Sequence, residues 1–358
     1  MKLFNSTINA LSSVVAILVG LLAGLVILLI SNASQAFLGF WSILSGGFSN
    51  LKEMGQVLYF ATPIILTGLS VGFASKTGLF NIGAAGQFIV GAFAAVFVGV
   101  KCVFIPGHLL WITAILAAVL AGALWGAIPG IFKALFNVNE VIACIMTNYI
   151  GTYLVNFLIT KTIFDSLKNQ SARVAMNANL PKMGMDNIFK DGFITSSANA
   201  GIFMAIIFAV IIYFVLEKTS FGYELKACGY NRDAARYAGI NEKRSIILSM
   251  AIAGALAGLG GALLYLAGSG KGITVVDVLA SEGFLGIPVA LLGLNNPIGI
   301  IFSGLLIAYL NVGGFNMQLY KFAPQVIEII IAVIIYFSAF ALLVRGFLGS
   351  LMKRLRSK

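Results

Sequence analysis

Apolar residues run through long stretches of this chain with almost no polar interruption, as in 12–30, 200–216 and 326–344. Stretches near 20 residues match the roughly 30 Å hydrocarbon core of a bilayer at about 1.5 Å per helical residue. In lipid a segment must satisfy its own backbone hydrogen bonds, so these stretches are expected to be helices. A membrane barrel would instead show short segments of alternating polarity, which the chain lacks. The pattern predicts spans at 12–30, 57–75, 79–100, 109–132, 140–160, 200–216, 246–267, 284–294, 298–314 and 326–344. The eighth is short and broken by Pro288, so it is either a half-helix or extends into its flanks. The expected fold is all-α: one polytopic transmembrane bundle over residues 1–358, with about ten spans.

Charge placement sets the orientation. With the N-terminus in the cytoplasm, fourteen of the 23 basic residues fall on the inner side. They include Lys76, Lys133, Lys218, Lys226, Arg232, Arg236, Lys243 and Arg244, and Arg345, Lys353, Arg354, Arg356 and Lys358 in the tail. This is the positive-inside arrangement, and an even number of spans returns the C-terminus to the cytoplasm. Residues 161–199 then form an outer loop and 217–245 a charged inner loop. The stretch 12–30 is longer than the apolar part of a secretory signal, and is read as a retained first helix rather than a leader ending near 34–36. Residues 31–56 carry Phe37, Phe40, Trp41, Leu44 and Phe48, either as an amphipathic helix along the interface or as a simple aromatic belt.

In this topology spans two to five begin and end outside, whereas spans seven to ten begin and end inside. The two groups run in opposite senses, as in a pair of inverted four-helix halves with extra helices added. Each half has a glycine-rich break near a span start, at 81–86 and at 283–288. Glycines four apart, at Gly20/Gly24, Gly68/Gly72, Gly122/Gly126 and Gly254/Gly258, place bare faces on helices and predict close packing.

Composition agrees with this picture. Sixty per cent of the 358 residues are hydrophobic and 10% are charged, and mean hydropathy is +1.01. A water-soluble fold would carry roughly a quarter charged residues. The net charge of +11 sits between apolar runs, as orientation signals do, and is not read as a nucleic-acid surface. Cys102, Cys144 and Cys228 are scattered, and His108 is the single histidine, so no metal site is expected.

The chain contains no energy source of its own. The run Gly268-Ser269-Gly270-Lys271-Gly272 departs from a phosphate loop, because Gly272 stands where Ser or Thr is needed and Tyr265 where the first Gly is needed. The spans hold almost no ionisable groups that could couple an ion gradient. There is no HExxH motif and no carboxylate pair at catalytic spacing, which argues against an enzyme. The remaining hypotheses are a pore driven by a separate ATPase and a stand-alone secondary carrier or channel for a small polar solute.

The inner loop bears on that choice. It reads Gly229-Tyr230-Asn231-Arg232-Asp233-Ala234-Ala235-Arg236-Tyr237-Ala238-Gly239-Ile240. Asn231 is a suitable N-cap, Asp233 suits the first turn, and Gly239 is a natural stop. The expected product is a helix of about two turns whose small alanines could seat in a groove of another protein. The alternative is an ordinary solvated loop helix.

This loop recurs with other motifs along the chain: Thr62 to Leu69, Gly78 to Gln87, Asn139 to Ile142, Met146 to Ile150, Val289 to Gly293, and Asn296-Pro297. Together they resemble the permease subunits of bacterial ATP-binding-cassette importers for nucleosides and simple sugars, a group related to ribose and branched-chain amino acid permeases. The resemblance covers about residues 10–345. It implies that Gly229 to Ile240 is the coupling helix, with Gly229, Asn231, Asp233, Ala234, Ala235 and Gly239 as its key positions. It also implies a cytoplasmic ATPase that uses the ATP, with no cofactor bound by this chain. Further implied partners are an extracellular substrate-binding protein, often a lipoprotein, and a second permease subunit, identical or different, in a bacterial plasma membrane. One departure is Ala85, where such permeases usually carry Glu.

Asn81, Gln87 and Asn148 are polar groups at membrane depth, and Glu140 opens span five at the cytoplasmic edge. Unpaired polar groups in hydrocarbon are costly, so the amides must find partners. They are candidates to line the substrate pathway, since amides suit hydroxyl-rich solutes, or to join neighbouring helices.

Overall fold

The computed structural model describes residues 2–339. The basic tail positions Arg345, Lys353, Arg354, Arg356 and Lys358 and the end of the tenth expected span lie outside the described residues. Fourteen α-helices follow in order: α1 Lys2–Asn32, α2 Ala36–Ser45, α3 Leu51–Lys76, α4 Ala84–Lys101, α5 Gly107–Phe136, α6 Glu140–Thr162, α7 Met185–Ile188, α8 Gly201–Lys218, α9 Ser220–Tyr230, α10 Arg232–Tyr237, α11 Glu242–Tyr265, α12 Ser281–Leu292, α13 Pro297–Asn316 and α14 Pro324–Ala339. Two small antiparallel hairpins, Phe164–Asp165 with Gln170–Ser171 and Lys190–Asp191 with Ile194–Thr195, lie between α6 and α8. The protein is an all-α polytopic membrane bundle.

Among the described residues, seven helices are long and apolar enough to cross a membrane: α3, α4, α5, α6, α8, α11, and α13 with the short turn that extends it to Tyr320. Helix α12 is the expected eighth element. Its twelve residues reach only about 18 Å at 1.5 Å per residue, short of a hydrocarbon core. The stretch 31–56 contains α2, whose Phe37 and Trp41 are exposed while Ala36 and Ile43 are fully buried.

Two compact units divide the chain. One joins the residues before 58 to those after 305, and the other is residues 58–305. In the first, α1 packs on α14 over a core of Leu28, Ile43, Leu310, Met317, Phe322 and Ile330. The Tyr309 hydroxyl donates to the Leu44 carbonyl, and its ring meets Phe48 at 4.9 Å.

In the second unit α11 is central, flanked by α4 and α5. The glycine pairs explain how α5 and α11 approach so closely. A Cβ on Gly126 would lie 2.9 Å from the Gly254 Cα, and one on Gly258 would lie 3.0 Å from the Gly122 Cα. Backbone against backbone leaves no room for side chains there, which is the small-residue packing of membrane helices.

The two polar loops lie at opposite ends of α11. At its C-terminal end the segment 164–180 is zipped to 266–275: Ser171 N donates to Ile273 O at 2.8 Å, Val275 N to Asn169 O at 3.0 Å, and Leu180 N to Leu266 O at 2.8 Å. At its N-terminal end α9 and α10 form a helical hairpin against the start of α11. Asn231 caps α10 by accepting from Ala234 N at 3.0 Å, and Asn241 caps α11 by accepting from Arg244 N at 3.0 Å.

Candidate functional site

Three of the four expected pathway residues come together where the chain breaks between α3 and α4. Asn81 Nδ2 donates to Gln87 Oε1 at 2.8 Å and to Ser70 Oγ at 3.0 Å, while Gln87 Nε2 returns a bond to Asn81 Oδ1 at 3.0 Å. Asn148, on α6, accepts from Gly86 N at 2.8 Å and donates to Ile82 O at 3.0 Å. The geometry follows from the break itself. Residues 79–83 leave the helix, so backbone groups at Ile82 and Gly86 lose their intrahelical partners and an amide on the neighbouring helix replaces them.

All three amides are essentially fully buried, as is Ser70. Each is bonded within the chain, so the structure places them as a connector of α3, α4 and α6. Glu140 stands apart from this set. It pairs with Lys133 at 2.9 Å, joining the end of α5 to the start of α6. Asn139 caps α6 beside it by accepting from Val141 N at 2.9 Å.

Sequence reading missed Ser70 and Thr67. Thr67 Oγ1 donates to the Glu282 carbonyl at 3.0 Å, tying α3 to the first turn of α12. Hydroxyls in apolar spans usually bond their own helix, so neither position carries a signal in sequence. The two glycine-rich stretches meet next to this bond, but only the first is a break. The second, 283–288, expected to interrupt its span, lies inside the continuous helix α12, where Gly283 and Gly286 serve close packing instead. A Cβ on Gly283 would collide with the backbone of Ala85, and one on Gly286 would lie 2.6 Å from the Thr67 carbonyl carbon. Ala85 is fully buried in that contact.

At the C-terminal end of α11, Lys271 pairs with Glu282 at 3.2 Å and stands over the Tyr265 ring at 5.7 Å. The glycine-rich run 268–272 therefore serves as a loop that reaches α12.

The helical hairpin at the other end presents a distinct surface. Tyr223, Tyr230 and Tyr237 project from it, the last two almost fully exposed. Asp233 and Ala234 are exposed, whereas Ala235 is buried in the hairpin. Gly239 adopts φ +82°, and Ile240 N bonds back to Ala235 O at 3.0 Å, closing α10 with a left-handed stop. Gly229 packs on the turn after α3, where an added Cβ would strike the Lys76 carbonyl. Just beyond, Thr77 Oγ1 donates to Ser249 Oγ at 2.8 Å. Cys228 is buried on the inner side of α9, and burial pushes its thiol pKa up.

Residues 54–343 match the family described as branched-chain amino acid transport system, permease component. The chain is 39% identical to the guanosine ABC transporter permease protein NupP of Bacillus subtilis, over 97% of each chain. It is 35% identical to the nucleoside ABC transporter permease protein NupB of Lactococcus lactis, over 94% of this chain and 92% of that one. It is 34% identical to the glucose ABC transporter permease protein TsgB13 of Haloferax volcanii, over 79% of this chain and 74% of that one. No solved structure matches the chain.

Proposed function

The chain belongs to the permease family of branched-chain amino acid transport systems, and from that premise we propose that it carries nucleosides into a bacterial cell as one half of an ATP-binding-cassette pore. The observation that carries the substrate class is likeness along the whole length: 39% identity to a guanosine permease over 97% of both chains. The likeness to a glucose permease is lower and covers less of the chain. The nucleoside reading is therefore preferred over a simple sugar.

In this reading the α9–α10 hairpin faces the cytoplasm and docks on the ATPase. Gly229, Asn231, Asp233, Ala234, Ala235 and Gly239 have two kinds of role in it. Gly229, Asn231, Ala235 and Gly239 build and seat the hairpin, and Asp233 and Ala234 are on the docking surface. The zipped loops at the far end of α11 face a substrate-binding lipoprotein. A second permease subunit completes the pore. The ten-span topology with inverted halves and both termini inside is part of the same proposal. The meeting of α4 and α12 at Ala85 and Gly283 supports it, since inverted repeats pack against each other along a shared interface.

The test is uptake of radiolabelled guanosine by cells expressing this chain with its ATPase, a second permease and a binding lipoprotein. Accumulation should require all four components and should be competed by other nucleosides but not by glucose. Competition by glucose alone would move the substrate class to sugars. Accumulation by proteoliposomes holding this chain by itself would replace the ATP-driven pore with a carrier.

A further inference from the structure

The buried amides are satisfied within the protein, Asn81 and Gln87 by each other and Asn148 by the backbone at Ile82 and Gly86, so other side chains must meet a solute. Helix α6 supplies an answer. Much of its length is exposed, and from Met146 onward its exposed face carries two stripes. Met146, Ile150, Leu154 and Phe157 form an apolar stripe. Tyr149, Tyr153, Asn156 and Thr160 lie beside it, within about 60° of arc at 3.6 residues per turn.

The polar stripe does not suit lipid. Tyr149 and Tyr153 are 47% and 53% exposed and stand roughly 14 and 20 Å along the helix at 1.5 Å per residue. Membrane tyrosines gather at the interfaces, where their hydroxyls reach water. Neither of these hydroxyls has a hydrogen-bond partner among the described residues, and an unpaired hydroxyl in hydrocarbon is costly. Above them Asn156 Nδ2 donates to Asp277 Oδ1 at 3.1 Å and to the Val276 carbonyl at 2.9 Å. Asp277 is exposed, and that amide is the single partner of its carboxylate among the described residues. An ionised carboxylate has about four acceptor sites, enough to take two adjacent hydroxyls as well.

We propose that Tyr149, Tyr153 and Asp277 form the wall of the translocation path that contacts the solute, with the aromatic rings against a planar base and the Asp277 carboxylate on a vicinal diol. This rests on the nucleoside reading above and names its contact surface. The Asn156 amide acts as a positioning group, since it holds Asp277 against the helix. A second copy of the chain is the competing occupant. It is disfavoured because protein interfaces deplete acidic side chains at their cores.

Two measurements on the complete transporter test the proposal. In a Cys102→Ser background, Tyr153→Cys should react with a membrane-impermeant thiosulfonate, read as a mass shift. Excess guanosine should protect it, and Phe157→Cys, on the apolar stripe, should not react. Asp277→Asn should raise KM for guanosine roughly ten- to hundredfold, the usual cost of a charge-assisted hydrogen bond, at unchanged membrane level. The KM for 2′,3′-dideoxyguanosine should stay within about twofold, since that solute has no diol to lose. A Tyr153→Cys that does not react, or reacts without protection, overturns the proposal, as does an Asp277→Asn effect equal for both solutes. If the unmutated transporter moves no nucleoside, the substrate reading and the diol assignment fail together. The aqueous wall is then judged by the contrast between Tyr153→Cys and Phe157→Cys alone.

Discussion

Gly229 rests directly on Gly78: a Cβ on Gly229 would stand 3.0 Å from the Gly78 amide nitrogen, and one on Gly78 would stand 3.2 Å from the Gly229 Cα. Gly78 also holds φ +70°, a conformation that favours glycine. The contact joins the α9–α10 hairpin to the turn that leads, three residues later, into the amide cluster at Asn81. A rigid backbone contact of this kind passes displacement on without side-chain slack.

Gly229→Val is therefore expected to lift the hairpin off that turn while leaving the spans inserted. Uptake should fall at least about tenfold, with overpacking on the order of 1–3 kcal/mol. ATP hydrolysis by the assembled transporter should no longer rise when loaded binding protein is added. Normal stimulation of hydrolysis in this variant would show that the contact is dispensable for coupling.

Asn148→Ala removes the partner of both Gly86 N–H and Ile82 C=O. Two buried groups lose their bonds, at about 1–3 kcal/mol each as an upper range, and less where the membrane-embedded reference state finds new partners. The melting temperature in detergent should drop, while KM for solute in the surviving protein stays the same. A raised KM with an unchanged melting temperature would instead place Asn148 on the solute's route.

These residues show what the sequence made legible. Asn81, Gln87 and Asn148 were conspicuous because amides interrupt apolar runs, and they do converge. Their mutual burial was hidden, because a one-dimensional pattern does not say whether two amides face each other or a channel. The stripe on α6 was also hidden. Tyrosine counts as apolar in a hydropathy pattern, so a helix with tyrosines along one edge reads as uniform. The short α12 was readable from the brevity of its apolar run, but not from Pro288, which sits inside the helix and does not end it. The zipper between 164–180 and 266–275 was not, because its pairing is between backbones about a hundred residues apart and leaves no periodic trace.

The hairpin gives a sharper way to test docking than its sequence suggested. Ala235 is 3% exposed, so Ala235→Arg would force a charge into the packed hairpin and unfold it. Ala234 is exposed on the same short helix, so Ala234→Arg changes only the outer surface. We expect Ala234→Arg to keep normal membrane level and melting temperature yet to weaken co-purification with the ATPase roughly tenfold or more, as a misplaced charge at an interface does. Unchanged co-purification would move the docking surface elsewhere, with exposed Tyr230 and Tyr237 as the next positions to alter.

Ala85 is the position where the permeases this chain resembles usually carry glutamate. Here it is 1% exposed and packed against Gly283, whose added Cβ would lie 2.9 Å from the Ala85 Cβ. Glutamate at 85 would need both space and a partner for its charge. The surfaces beside it are tight backbone contacts, at Gly283 on Ala85 and at Gly286 on Thr67. An unpaired buried carboxylate costs several kcal/mol even after relaxation, so Ala85→Glu should lower both the melting temperature and the membrane level. Guanosine uptake per molecule should fall in step with that loss. If the variant instead inserts normally and changes which solutes compete for uptake, the 85 side chain opens into the path, and the α4–α12 contact is a moving gate rather than a fixed joint.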